Sequence, residues 1–262
     1  MDTEVEVEKK RGIPGSTIKM IAIIAMFIDH TAAVILERIM RQQGINTMLD
    51  MGPVEPIVIV YLVMRIIGRL GFPIFIFLLI EGLEHTRNQW KYLLRLIIFA
   101  LISEIPFDFA FNLSREQIFF GQLLEFTYQN VFFTLAIGLA AVIGIKIIQG
   151  IEFNEMLKVF INIGITVAGM GLGLLLRTDY GAIGVLAIII MYLLRQRRIL
   201  ASAMSCLVLM FSSFLEASAF LILLPVGYYN GERGWKLKWV FYAFYPVHLL
   251  LLWVICLCMG IA

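Results

Sequence analysis

Lys19 and His30 stand eleven residues apart in the stretch KMIAIIAMFIDH, within a chain that is 61% hydrophobic and only 15% charged. On a helix, eleven steps of ~100° return to nearly the same face, and at 1.5 Å per residue they separate the two side chains by ~16 Å along the axis. A cation then sits at one end of the helix and an imidazole near its middle. Imidazole exchanges a proton near neutrality and can act as general base or acid. Asp29 beside it, and Glu37 seven residues on along the same face, supply carboxylates able to orient the ring. An ionisable group at that depth in a lipid-spanning helix turns toward a bundle interior or a water-filled cavity. The plain structural alternative is a neutral His30 hydrogen-bonded between helices, with Asp29 as its local partner.

Two further pairs belong at similar depth. Arg65 and Arg69 are four residues apart on one helical face, and so are Glu104 and Asp108, with Pro106 loosening the backbone between them. Arg65 with Glu104 and Asp108 can form an ion-pair lock between neighbouring helices. Arg69 is the member expected to face a substrate, because a guanidinium fork holds an anion or a developing oxyanion. A second cationic set, Arg87, Lys91 and Arg95, recurs every four residues, with His85 and Lys19 near it in depth. Positive charge at a cytosolic helix end explains the exposed members. A stripe reaching Arg95 also suits a polyphosphate such as the head of coenzyme A.

Other polar marks read more simply. Asp179 in RTDYG stands where an N-cap is wanted, and Asn130 in YQNVFF caps a helix or reaches into a cavity. His248 in FYPVHLLLL is read as an interhelical hydrogen bond, and YYNGERG is an unusually polar turn. Cys206, Cys256 and Cys258 lie in apolar runs without His or carboxylate at ligand spacing, so neither a disulfide framework nor a metal site is expected.

The elements that must position these groups are membrane helices. Apolar runs reach the ~20 residues needed to cross a bilayer and are apolar on all faces, which excludes the alternating pattern of a barrel. Spans are expected near 17–39, 57–84, 91–111, 129–149, 156–176, 180–195, 199–227 and 238–260, leaving no room for a separate soluble domain in 1–262 beyond a short tail over 1–16. The first is read as a retained signal anchor. The second carries Gly68, Gly71 and Pro73 and is expected to break near Gly71–Pro73. Residues 199–227 are long for one span and short for two, so one long helix and a re-entrant pair both stay open. The fold class is thus all-α, a polytopic transmembrane helical bundle of about eight to ten spans. With the N-terminus cytoplasmic, twelve Lys and Arg fall in inside segments against four (Arg38, Arg41, Arg115 and Arg177) outside, which favours that orientation in the plasma membrane. Net charge is only +2, with cations scattered through short loops, so nucleic acid is excluded as a partner.

Ordered blocks along nearly the whole chain, IKMIAIIAMFIDHTAAVI, MRIIGRLGFPIFIFLLIEGLEHTRNQWKYLLRL, ALISEIPFDFAFN, QNVFFTLAIGL, DYGAIGVL, YNGERG and FYPVHLLLL, resemble the TraX family of conjugation-associated membrane proteins linked to acetylation of the pilin N-terminus. That family is in turn similar to the acyltransferase-three superfamily, whose first helix carries a basic residue, ten intervening residues and a His. Lys19 and His30 match that pattern. The resemblance implies an acyltransferase drawing on cytosolic acetyl-CoA, with His30 as general base, Asp29 or Glu37 orienting it, and Arg69, Glu104 and Asp108 as further catalytic candidates. Lys19, His85, Arg87, Lys91 and Arg95 would hold the coenzyme phosphates, and the acceptor would be a peptide amine or a glycan hydroxyl outside the membrane. A proton-coupled transporter, with His30, Glu104 and Asp108 as a relay, and a non-catalytic scaffold are the alternatives.

Overall fold

A computed structural model describes residues 11–45, 55–235 and 238–261, and the described chain is helical without a sheet. All eight expected segments are helical. α1 (Gly15–Gln42) is continuous but passes through a π-helical turn at Ala32–Leu36, which starts two residues after His30. The expected broken span is α2 (Pro56–Gly68) followed by α3 (Gly71–Glu84), the interruption falling at Arg69 and Leu70. α4 (Gln89–Phe107) contains Pro106 and ends in a second π-helical turn at Asp108–Asn112. The short α5 (Arg115–Phe119) is followed by α6 (Val131–Gln149), α7 (Glu155–Leu175) and α8 (Gly181–Leu193). α9 (Arg198–Leu209), α10 (Phe214–Gly227) and α11 (Lys238–Met259) complete the chain. Among the described residues, five helices are long and apolar enough to cross a membrane, those over Gly15–Gln42, Pro56–Glu84, Val131–Gln149, Glu155–Leu175 and Trp239–Met259. α4 has the length, but Lys91, Arg95 and Glu104 interrupt its apolar sequence.

The question left open over 199–227 resolves at the end of the bundle that carries Gly15, here called proximal. Glu84 pairs there with Lys146 at 3.8 Å and Arg195 at 3.4 Å. Glu81 meets both Arg198, at 3.6 Å, and the Tyr229 hydroxyl, at 3.4 Å. The first residue of α9 and a residue just after α10 therefore touch one carboxylate. The twelve residues of α9 rise only ~18 Å in a hydrocarbon layer of ~30 Å. α9 and α10 are a re-entrant hairpin that enters and leaves by the proximal end.

Its exit loop explains the polar YYNGERG turn. α1 has no side-chain cap, and a helix start leaves backbone N–H groups needing partners. Gly15 N donates to Glu232 O at 2.7 Å and Ser16 N to Arg233 O at 3.0 Å, while Ile13 N reaches Tyr228 O at 2.8 Å. The loop thus caps α1 with backbone carbonyls. Gly234, at φ +69°, sits so close that a Cβ would fall 2.0 Å from Ser16 Oγ, so only glycine supports this approach. α7 lies outermost: among its described residues only Gly169 and Gly173 are buried, and Phe160, Val167 and Leu175 face outward as lipid-facing residues do.

Candidate active site

His30, Asp29, Arg65 and Arg69 line one cavity of about 350 Å³. α1 contributes Met26, Ala33 and Glu37 as well, the start of α3 contributes Phe72 and Phe75, and α11 contributes Phe241 and Tyr245. Phe107, Phe111, Tyr128, Asp179 and Tyr180 close it at the distal end. This is the size and chemistry of a small-molecule site: mostly aromatic walls with a few convergent polar groups.

The arginines are held by α1 and the hairpin. Arg65 Nη1 donates to Asp29 Oδ2 at 2.6 Å, and Arg69 donates to Asp29 Oδ1 at 3.2 Å and to Glu216 Oε1 at 2.9 Å. The expected lock of Arg65 onto Glu104 and Asp108 does not form; spacing along a helix tells which side chains share a face, not which neighbour that face meets. The Asp29 contact depends on Gly68, where a Cβ would lie 2.2 Å from both Asp29 Cβ and Oδ1. Arg69 also donates from Nε to the Arg65 carbonyl at 3.4 Å, so most of its capacity is taken. Among the described residues Arg65 makes a single ion pair, which leaves most of its five N–H donors for a ligand.

His30 is oriented by neither Asp29 nor Glu37, contrary to expectation. Asp29 is occupied by the two arginines, and Glu37, at the cavity rim, pairs with Arg41 at 3.3 Å. The imidazole instead meets His248, Nδ1 to Nε2 at 2.6 Å. His248 Nδ1 lies 2.8 Å from the Phe244 carbonyl, which can only accept. His248 therefore carries its proton on Nδ1, presents Nε2 as acceptor, and takes the Nδ1–H of His30. His30 Nε2 keeps its lone pair. The interhelical hydrogen bond expected of His248 thus exists, and its partner is the principal candidate base.

At the distal end, Asp179 is not the N-cap expected. Tyr180 holds that position without a side-chain cap, and Asp179 instead accepts a hydrogen bond from the Tyr128 hydroxyl at 2.6 Å inside the cavity. Burial pushes the Asp179 carboxyl above its ordinary range despite that bond, and burial beside this carboxylate pushes the Tyr128 phenol up as well. The loop reaches inward because Arg177 adopts φ 50°, a left-handed conformation that a non-glycine residue holds only when its surroundings impose it. Its carbonyl accepts from Gln129 N at 3.1 Å. Tyr180 stacks on Phe72 with ring centroids 3.7 Å apart.

Glu104 and Asp108 lie outside the cavity lining. Glu104 accepts from the side chain of Asn130, whose Oδ1 caps Phe132 N at 3.0 Å. Asp108 accepts from Asn112 at 2.7 Å and from Glu125 N at 2.8 Å. Both tie α4 to the segment leading into α6.

None of the five cationic candidates lines the cavity, and Lys19 borders it. Lys19 Nζ lies 5.3 Å from the centre of the Phe241 ring, a residue of the cavity wall. Arg95 rests over Tyr92, 5.6 Å from its centre, with Nε buried and unpartnered. The stripe itself is shorter than expected: Asn88 caps α4 by accepting from Lys91 N at 2.9 Å, which puts Arg87 before the helix. Arg87 and Lys91 are exposed, and His85 turns its Nδ1 to the Glu81 carbonyl at 2.8 Å.

His248, Glu216, Tyr128, Asp179 and Tyr180 complete a site that sequence reasoning gave no catalytic weight. A lone carboxylate in the apolar run around Glu216 and a histidine nearly three turns into the last helix were the available signals.

A family model described as TraX protein matches residues 14–256. A probable fimbrial assembly protein FimC, serogroup H1, of Dichelobacter nodosus is 30% identical over 255 residues, covering 90% of this chain and 92% of that protein. No solved structure matches.

Proposed function

The chain belongs to the TraX family, and from that premise we propose that it is an acetyl-CoA-dependent acyltransferase of the plasma membrane, oriented with its proximal end in the cytosol. Its acceptor is an extracytoplasmic amine or hydroxyl, on a fimbrial subunit or an envelope glycan; the fimbrial-assembly name of the Dichelobacter nodosus relative supports the former. The observation that carries the reading is an imidazole with a free Nε2 in an aromatic-walled cavity beside a guanidinium with spare donors.

In this mechanism the acceptor N–H or O–H gives its proton to His30 Nε2 as the heteroatom attacks the thioester carbonyl. The oxyanion that forms is met by the free donors of Arg65, with Arg69 holding Asp29 and the hairpin in place. Collapse forms the new amide or ester, breaks the C–S bond, and returns the proton from His30 to the thiolate, releasing coenzyme A. Lys19 and Arg95 grip the phosphates at the proximal mouth, and the pantetheine arm covers the ~16 Å between Lys19 and His30.

Purified protein in proteoliposomes, given labelled acetyl-CoA and a peptide or glycan acceptor, tests the proposal. Transfer is expected for the wild type and a loss of ~10²–10⁴-fold for His30→Ala. Unchanged turnover in His30→Ala refutes the assignment, and gradient-driven uptake without coenzyme A would favour a transporter.

A further inference from the structure

The chain has three histidines, and the two inside the bundle are arranged more strictly than a chance contact requires. The His30 and His248 rings lie within 6° of parallel with centroids 4.9 Å apart, while the bonded nitrogens are 2.6 Å apart. The centroid separation exceeds the nitrogen separation by about two ring radii, so the rings meet edge to edge, in line, and are not stacked face to face. A linear N–H···N bond is the strongest such geometry. The Phe244 ring lies nearly parallel to His248, 10° off with centroids 4.7 Å apart, and Tyr245 and Phe27 stand edge-on to it at 5.6 Å and 6.3 Å. His248 is 2% exposed. Its ring has no room to turn over.

We propose that His248 is the positioning residue of the site: it holds His30 in the Nδ1–H tautomer, keeps the Nε2 lone pair for the acceptor, and shares the Nδ1 proton once His30 is an imidazolium. The role is the one a carboxylate plays in hydrolytic triads, filled here by a neutral ring. Both carboxylates near enough to compete are committed, Asp29 to two arginines and Glu37 to Arg41. A neutral partner also orients the base without adding a charge at mid-membrane. The chain of bonds ends at the Phe244 carbonyl, which accepts a hydrogen bond but does not take up the proton. The proton gained at Nε2 therefore leaves by Nε2, toward the departing sulfur.

This role rests on His30 being the base, so the experiment separates the two. Full-length protein carrying ¹⁵N-histidine in nanodiscs gives few enough imidazole signals to assign by single substitutions. In the wild type His30 is expected to be protonated at Nδ1 and bare at Nε2, with nitrogen–nitrogen coupling across the bond to His248. His248→Leu should mix the His30 tautomers and lower acyl turnover by ~10²-fold or more with the donor KM unchanged. His248→Gln, whose amide oxygen can accept from His30, should restore the tautomer and most of the turnover. A wild-type His30 protonated at Nε2 overturns the proposal, whether or not the leucine variant folds. So does full turnover in His248→Leu. If the tautomer is as stated but His30→Ala retains turnover, the transferase reading fails and the hydrogen-bond direction survives.

Discussion

Replacing Gly68 by alanine tests how the site is built more severely than removing any of its charges. A Cβ there would lie 2.2 Å from Asp29 Cβ and Oδ1 and 2.5 Å from Asp29 Cγ. Ordinary carbon contacts begin near ~3.5 Å, so α1 and α2 must separate by more than about 1 Å. Rotating the Asp29 side chain away does not help, because its Cβ is fixed to the backbone. Overpacking of this kind costs about 1–3 kcal/mol. The displacement also pulls Asp29 from the arginines, whose side chains are only 22% and 14% exposed, and disrupting a buried pair adds up to about 3–5 kcal/mol. The two effects share atoms and are not additive, so a loss of about 3 kcal/mol or more is expected. The assay is unfolding in mixed micelles followed by far-ultraviolet circular dichroism, with acetyl transfer measured alongside. Gly164 on α7 has open space where a Cβ would stand, with nothing within 4 Å, so Gly164→Ala is the matched control, neutral or slightly stabilising from helix propensity alone. Gly68→Ala behaving like that control, in stability and turnover, would refute the close-approach argument.

Arg65→Ala should reduce turnover more than stability, and Arg69→Ala stability more than turnover, since Arg69 spends its donors on Asp29, Glu216 and the Arg65 carbonyl; the reverse order would return the oxyanion role to Arg69. Lys19→Gln with Arg95→Gln should raise the KM for acetyl-CoA, by about 1.5–3 kcal/mol per lost phosphate contact, and leave that of a truncated pantetheine donor nearly unchanged; equal effects on both donors would remove them from the phosphate site. Single cysteines at Gln196 and Glu232, in a background without the native thiols, should react with an impermeant maleimide from one side of the membrane only, and opposite-side labelling would disprove the re-entrant hairpin. Because burial raises the Asp179 carboxyl, its contribution to stability is fully present below about pH 4, the unfolded value, and is lost as pH rises through the shifted folded value; Asp179→Asn should flatten that part of the stability profile measured by thermal unfolding, and an unchanged profile would exclude the shift.

How much of this was legible before the structure depends on sequence distance. The first helix, His30 at its middle, the Arg65–Arg69 pair and the broken second helix all follow from local periodicity and from glycine and proline. What pairs with them does not. Asp29 meets Arg65 because Gly68 removes a side chain at the crossing, and Arg69 meets Glu216, 147 residues away, because a hairpin too short to cross turns back at that depth. His248 is 218 residues from His30. Helical arithmetic gives a direction around an axis, and only packing chooses the neighbour. The cationic stripe was misread for a local reason: Asn88 is a strong cap, and a helix starting after it excludes Arg87.

The distances in sequence within the site also imply an order in time. Synthesis delivers His30 and both arginines first, and neither Glu216 nor His248 exists until most of the chain has been made. Until the hairpin folds back, Arg69 lacks one of its two counter-charges, and until the last helix arrives the His30 ring is free to choose either tautomer. A nascent chain that already contains the base and the cavity wall on α1 is therefore chemically idle. The residues that complete the site are those whose arrival certifies that the bundle has closed, so on the proposed transferase reading a truncated or misinserted product has no ready means of discharging acetyl-CoA.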